Sequence, residues 1–119
     1  MSVSRIRVLI VDDSKEMRRA IGLVIQDLAE EIRECSDGSE ALGAYTAYLP
    51  DIVLMDIRMK KVDGLAAIGQ IKSAFPDSRI VVVTICKGDD MRQAARAAGA
   101  LAFVVKDNLL ELRQILIGI

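Results

Sequence analysis

The 119 residues make one ordinary domain, and an apolar content of 52% is ample for a core covering both faces of a sheet. A net charge of -1 with acids and bases interspersed, and only two Tyr and two Phe for stacking, argues against direct nucleic-acid binding. The absence of histidine excludes Ser-His and Cys-His nucleophile pairs, so any histidine acid or base has to come from a partner.

The first residues, MSVSRIRVLIVDD, run straight into an apolar strand without a signal-peptide cleavage region. No apolar stretch reaches the roughly 18 residues of a membrane span, and the expectation is a soluble, cytoplasmic protein with no membrane contact. Arg5 to Val11 reads as a buried strand. Ser14 is placed to cap a helix whose apolar positions are Met17, Ile21, Val24 and Leu28. Glu31 to Cys35 is a polar strand suited to a sheet edge, and Asp37 with Glu40 has the capping-box spacing that opens a helix toward Tyr48. Pro50 ends that segment.

Asp51 to Asp56 is the most hydrophobic strand and is assigned to the sheet centre. A loop over Arg58 to Asp63 leads into a helix with Leu65, Ile68, Ile71 and Phe75 on its apolar face, closed by Pro76-Asp77. Arg79 to Thr84 is a fourth strand, Asp89 to Ala98 a helix with Gly99 as its C-terminal stop, and Leu101 to Val105 a fifth strand. Asp107 is expected to cap a last helix carrying Leu109, Leu112, Leu116 and Ile119, partly buried. Cys35 and Cys86 form neither a C-x-x-C pair nor a metal cluster and are read as reduced structural thiols.

Strands alternating with helices predict an α/β fold with a parallel sheet whose ligand crevice lies at the carboxyl ends of the strands. Four of the strands stop at a reactive residue there: Asp12-Asp13, Asp56, Thr84 and Lys106. Three carboxylates brought together repel unless a proton or hard cation intervenes, and an oxygen-only set suits Mg2+. The pocket looks built for metal-assisted phosphoryl chemistry. Taken singly, each residue has a plain structural reading: Asp12 and Asp13 as helix-dipole partners, Thr84 as a β-branched strand residue, Lys106 as a solvated strand end. Their combination in this order is what carries the functional reading.

The segments VLIVDDS, IVLMDIRMKKVDGL, VVVT and AGALAFVVKD resemble the receiver domain of bacterial two-component response regulators over essentially the whole chain. The resemblance implies one receiver domain over 1–119, flavodoxin-like and doubly wound, with five parallel strands ordered 2-1-3-4-5 and five helices on both faces. It implies that Asp56 is the phosphoacceptor for a sensor histidine kinase or phosphotransfer protein, which brings the missing histidine. Asp13, Asp56 and the backbone carbonyl of Arg58 would hold Mg2+, Asp12 would act through water, and Lys106 and Thr84 would contact the phosphoryl group. Thr84 and Phe103 would form the switch that repositions the helix 4, strand 5 and helix 5 face, a docking face for partners or for a second receiver in a phosphorylation-dependent homodimer. Such a chain is a phosphoacceptor rather than an enzyme, with only slow self-dephosphorylation.

Departures from the family pattern are Lys60 where proline is common, which is expected to loosen the loop, and Asp107 where a cis proline is common. A cis bond to Asp costs about 3 kcal/mol, so trans is expected. Ile85 stands where Ala or Gly is frequent, and its bulk is expected to restrict access to Asp56. The resemblance also implies that Arg58 and Cys86 stand at positions that in the family tune how fast water removes the phosphoryl group. Two rival readings are a pseudo-receiver that signals without phosphorylation and an aspartyl-phosphate phosphohydrolase. The second lacks its required acid, because Ser14 and Arg58 stand two residues after Asp12 and Asp56. The expectation is a receiver ending in its last helix at Ile119 with no linker or effector domain, either acting alone or cut from a longer protein, and AGALAFVVKDNLLEL resembles receivers attached to helix-turn-helix transcription factors.

Overall fold

A computed structural model describes residues 5–119. The strands are β1 (Ile6–Val11), β2 (Ala29–Cys35), β3 (Ile52–Met55), β4 (Ile80–Thr84) and β5 (Ala102–Val105), all parallel in the order β2-β1-β3-β4-β5. Between and after them run α1 (Lys15–Ile25), α2 (Ala41–Tyr48), α3 (Gly64–Ala74), α4 (Asp89–Ala98) and α5 (Leu110–Ile117), with 3-10 turns at Gly38–Glu40 and Lys106–Asn108. The expected strand order and helix number are borne out.

Strand alternation divides the core in two, because successive side chains point to opposite faces. Leu9, Val11, Val53, Met55 and Val82 pack under α2, α3 and α4 through Tyr45, Ile68, Ile71 and Ala95. Val8, Ile10, Ile52, Leu54 and Val81 pack under α1 and α5 through Ile21, Ile25, Leu112 and Leu116. All four residues of β3 are buried, as a central strand covered on both faces requires, whereas β2 at the edge exposes most of its side chains.

Local signals set most boundaries. Ser14 Oγ accepts from Met17 N–H at 3.1 Å, Asp63 Oδ1 accepts from Ala66 N–H at 2.8 Å, and Gly99 closes α4 at φ 113°. α2 closes on Leu49 in the left-handed region at φ 51°, immediately before Pro50, whose ring disfavours a helical residue in front of it. The 106–107 bond is trans, since the described residues contain no cis peptide.

Four expectations are corrected. α1 stops at Ile25, and Leu28 lies in the following turn, where its N–H bonds to Ile25 O and its carbonyl accepts from Ile6 N–H. β2 begins at Ala29 rather than Glu31, because an irregularity between Ile6 and Arg7 absorbs Glu30 and lets pairing start earlier. Asp107 caps nothing: α5 starts after a 3-10 turn with Leu109 at its N-cap, and the Asp107 carboxylate pairs with Lys87 at 2.8 Å. Ile119, expected to be partly buried, is exposed.

Candidate functional site

β1 and β3 end in register, with Val11 opposite Met55, so the residues that follow them, Asp12 and Asp56, emerge side by side. Backbone bonds fix both: Asp12 N–H donates to Cys35 O at 3.1 Å, and Asp56 N–H to Val11 O at 2.9 Å. On the other side β4 and β5 end with Thr84 opposite Val105, which sets Thr84 and Lys106 on the same sheet edge.

Asp12, Asp13 and Asp56 each present a carboxylate oxygen within 4.8 Å of the others, with Asp12 and Asp56 buried and Asp13 exposed. Lys106 reaches in from the turn that follows β5: its ammonium lies 2.8 Å from Asp12 Oδ2 and 3.2 Å from Asp56 Oδ2. The ammonium thus bridges the two buried carboxylates, with the shorter contact to Asp12. The remaining oxygens are held locally, Asp12 Oδ1 by Ser14 N–H at 2.9 Å and Asp56 Oδ1 by Ile57 N–H at 2.8 Å.

Burial pushes the Asp56 carboxyl above its ordinary range; Lys106 opposes that rise, and the neighbouring Asp12 charge adds to it. Burial also works against the charge on Lys106, but its pairing with Asp12 and Asp56 outweighs the cost and holds the ammonium above its usual value. The donor set is all oxygen and partly buried, and its three carboxylates outnumber the single ammonium that faces them. That chemistry fits a hard divalent cation such as Mg2+.

Thr84 is fully buried, and its Oγ1 accepts from Cys86 N–H at 3.2 Å. Phe103 is buried in the α2/α3/α4 half of the core, with the Arg92 guanidinium 4.7 Å from its ring centroid. Arg58 and Ile85 are exposed, Ile85 at 62%.

Sequence reasoning took Asp37 as a helix cap only. Its carboxylate does accept from Ser39 N–H at 2.8 Å, but it also accepts from Lys61 N–H at 3.0 Å and Val62 N–H at 3.1 Å in the loop after Asp56. The reciprocal arm of the expected capping box is displaced by one residue, Glu40 Oε1 accepting from Ser36 N–H and Ser36 Oγ. Gly38 and Gly64 complete the enclosure of that loop. A Cβ on Gly38 would overlap Val62 O, and one on Gly64 would overlap Asp56 O. The two Asp-Gly dipeptides, Asp37-Gly38 and Asp63-Gly64, were the available signal, since Gly marks close backbone approach.

A doubly wound parallel sheet with an acidic cluster and a lysine at the carboxyl ends of its strands defines a class of α/β domain built around one edge site. The family model described as the response regulator receiver domain matches residues 8–117, and the chain belongs to that family. The chemotaxis protein CheY of Bacillus subtilis is 36% identical over 110 residues, covering 88% of this chain and 92% of CheY. The transcriptional regulatory protein LiaR of the same organism is 38% identical over 103 residues, 85% of this chain but 49% of LiaR. The chain thus spans about half the length of that transcriptional relative. A LuxR-family two-component response regulator from Aurantimonas sp. SI85-9A1 superposes with a TM-score of 0.88 at 30% identity, covering 97% of this chain and 87% of the other. Among the described residues no helix is long and apolar enough to cross a membrane.

Proposed function

We propose that the chain is a phosphoryl-accepting switch of a two-component system, with Asp56 as the acceptor. The observation that carries this is a buried carboxylate that shares an ammonium with a second buried carboxylate, at the strand edge where this fold places its ligands. An oxygen of Asp56 attacks the phosphorus of a phosphohistidine on a sensor histidine kinase or phosphotransfer protein. The new bond is an acyl phosphate, the phosphorus–nitrogen bond breaks, and the electron pair returns to the imidazole of the partner.

Asp13, Asp56 and the Arg58 carbonyl would hold Mg2+, with Asp12 acting through water, and the cation would offset the charge of the incoming phosphoryl oxygens. Lys106, already aimed at Asp56, exchanges one carboxylate for a phosphoryl oxygen without leaving its place. Thr84 uses its hydroxyl oxygen to accept from Cys86, so its own proton is free to be donated to the phosphoryl group. Movement of Thr84 toward that group vacates space beside β5, which the ring of Phe103 fills. The α4/β5/α5 face then shifts between two packings that bind partners, or a second receiver, differently.

The chain turns over no external substrate; water removes the phosphoryl group slowly and resets the switch. Intact-mass spectrometry after incubation with acetyl phosphate, with and without Mg2+, tests the reading on wild type and Asp56→Asn. A Mg2+-dependent phosphoryl adduct absent from the variant is expected. No adduct on wild type that binds Mg2+ would replace this reading with that of a phosphorylation-independent interaction module.

A further inference from the structure

The segment between Asp56 and α3 carries the Arg58 carbonyl and has Lys60 at its outer turn, with no proline to stiffen it. It is nevertheless held at two places. At its neck, Gly64 N–H donates to Ile57 O, and the Gly64 Cα packs against the Asp56 carbonyl so closely that no side chain fits between them. At its far turn the holding group comes from another crossover: the Asp37 carboxylate, 24 and 25 residues earlier in sequence, takes the N–H groups of Lys61 and Val62. Gly38 brings the two backbones together, since a Cβ there would overlap Val62 O.

Resting on the phosphoacceptor reading above, we infer that Asp37 is a positioning residue for the divalent-cation site, fixing the β3–α3 loop so that the Arg58 carbonyl is presented without an ordering cost on binding. Asp37 lies outside the acidic cluster, yet its carboxylate spans the β2–α2 and β3–α3 connections through three backbone donors. Those donors hold its carboxyl far below the ordinary range, led by Lys61 and Ser39, so the carboxylate stays charged wherever the protein is folded near neutrality. An untethered six-residue stretch, 58–63, would sample many conformations, and cation binding would have to select one of them. A carboxylate that makes the selection in advance raises cation affinity and leaves the phosphoryl-transfer step itself unchanged.

The test is Asp37→Ala, with Asp37→Asn as the shape-conserving variant, each measured by Mg2+ calorimetry, by amide exchange at Lys61 and Val62, and by acetyl-phosphate kinetics as a function of Mg2+. The Lys61 and Val62 amides should lose roughly tenfold or more of their protection in the alanine variant while the β1 and β3 amides keep theirs. The Mg2+ dissociation constant should rise about tenfold, with the rate at saturating Mg2+ within about threefold of wild type. If the alanine variant fails to fold, Asp37→Asn, which turns an NH2 group toward part of the donor set, should show the same pattern more weakly. Unchanged Mg2+ affinity, or loss of protection spread evenly over the domain, would overturn the inference. A wild type that binds Mg2+ but takes no phosphoryl group would overturn the phosphoacceptor reading alone, since calorimetry and amide exchange still decide the role of Asp37.

Discussion

Lys106 Nζ stands 3.2 Å from Asp56 Oδ2, and the two side chains are only 9% and 6% exposed. Both ends of this pair are supplied by residues that follow strands separated by β4 in the sheet, so the contact depends on the tertiary fold. With Asp12 on the other side of the ammonium, one positive charge is shared by two buried negative ones.

Replacing that ammonium by an apolar group of similar length leaves two buried carboxylates facing each other. In the absence of divalent cation, Lys106→Met is expected to lose about 3 kcal/mol of stability at pH 7, the scale for breaking one side of a buried ion pair. The loss should shrink on acidification as the carboxylates take up protons. Urea denaturation at a series of pH values measures both, and a loss that does not vary with pH would mean the carboxylates stay apart without the lysine.

The pH response of Asp56 has a definite sign. Its carboxyl binds protons more tightly folded than at the ordinary 3.8, because of burial, so the folded state holds more protons across the interval above that value. Stability therefore falls as pH rises from about 3.8 through the higher folded value, and the penalty is fully present above it. Cation-free Asp56→Asn should be more stable than wild type at pH 7, with the gap closing as pH drops below about 4. A gap of constant size would refute the shift.

Asp37 has the opposite sign. Its folded carboxyl is held far below 3.8 by backbone donors, so it stabilises the fold at and above that value and loses this contribution as pH falls through the folded value. Asp37→Asn should be less stable than wild type at pH 7, and the difference should diminish only in strong acid. Thermal melts at pH 7, 4 and 2.5 read this; a difference that vanishes already near pH 4 would mean the donors do not favour the charged form.

Gly64→Ala places a methyl group where the Asp56 carbonyl sits, and both partners are backbone. An overpacking cost of about 3 kcal/mol is expected. Because the displaced atom belongs to the proposed acceptor residue, phosphorylation by acetyl phosphate should fall as well, even at temperatures where the variant is folded. Wild-type rates in a folded variant would show that the loop moves away from Asp56 at no cost to the site.

Phe103 and Arg92 separate packing from clamping. Phe103 is buried in the larger apolar cluster, and truncation to Ala should cost about 3 kcal/mol. Arg92 lies over its ring from α4, and Arg92→Ala should cost no more than about 1 kcal/mol. Chemical denaturation gives both values; near-equal losses would assign the anchoring of the ring to the guanidinium rather than to the core.

The parallel α/β architecture, the central position of β3 and the convergence of Asp12, Asp13, Asp56, Thr84 and Lys106 on one sheet edge were legible in the chain. Each is written in local terms: apolar runs of strand length, helical spacing between them, and a reactive residue at the end of the run. Where local patterns competed, the reading slipped. Leu28 fits the helical spacing of α1, but pairing of β2 with β1 claims the neighbouring backbone and ends the helix at Ile25. Asp107 has the residue type of a cap, but an exposed lysine on another loop takes its charge.

The fold family, and the order in which acidic, hydroxyl and lysine side chains follow the strands, can be read directly from the chain, because strand and helix periods and residue order are short-range properties. That Asp37 holds the loop after Asp56, that Gly38 and Gly64 are sites of backbone contact, and that Arg92 covers Phe103 emerges only once the chain is folded. Those relationships join segments whose separation in sequence has no period. They exist only after the sheet has brought its crossover loops to one edge.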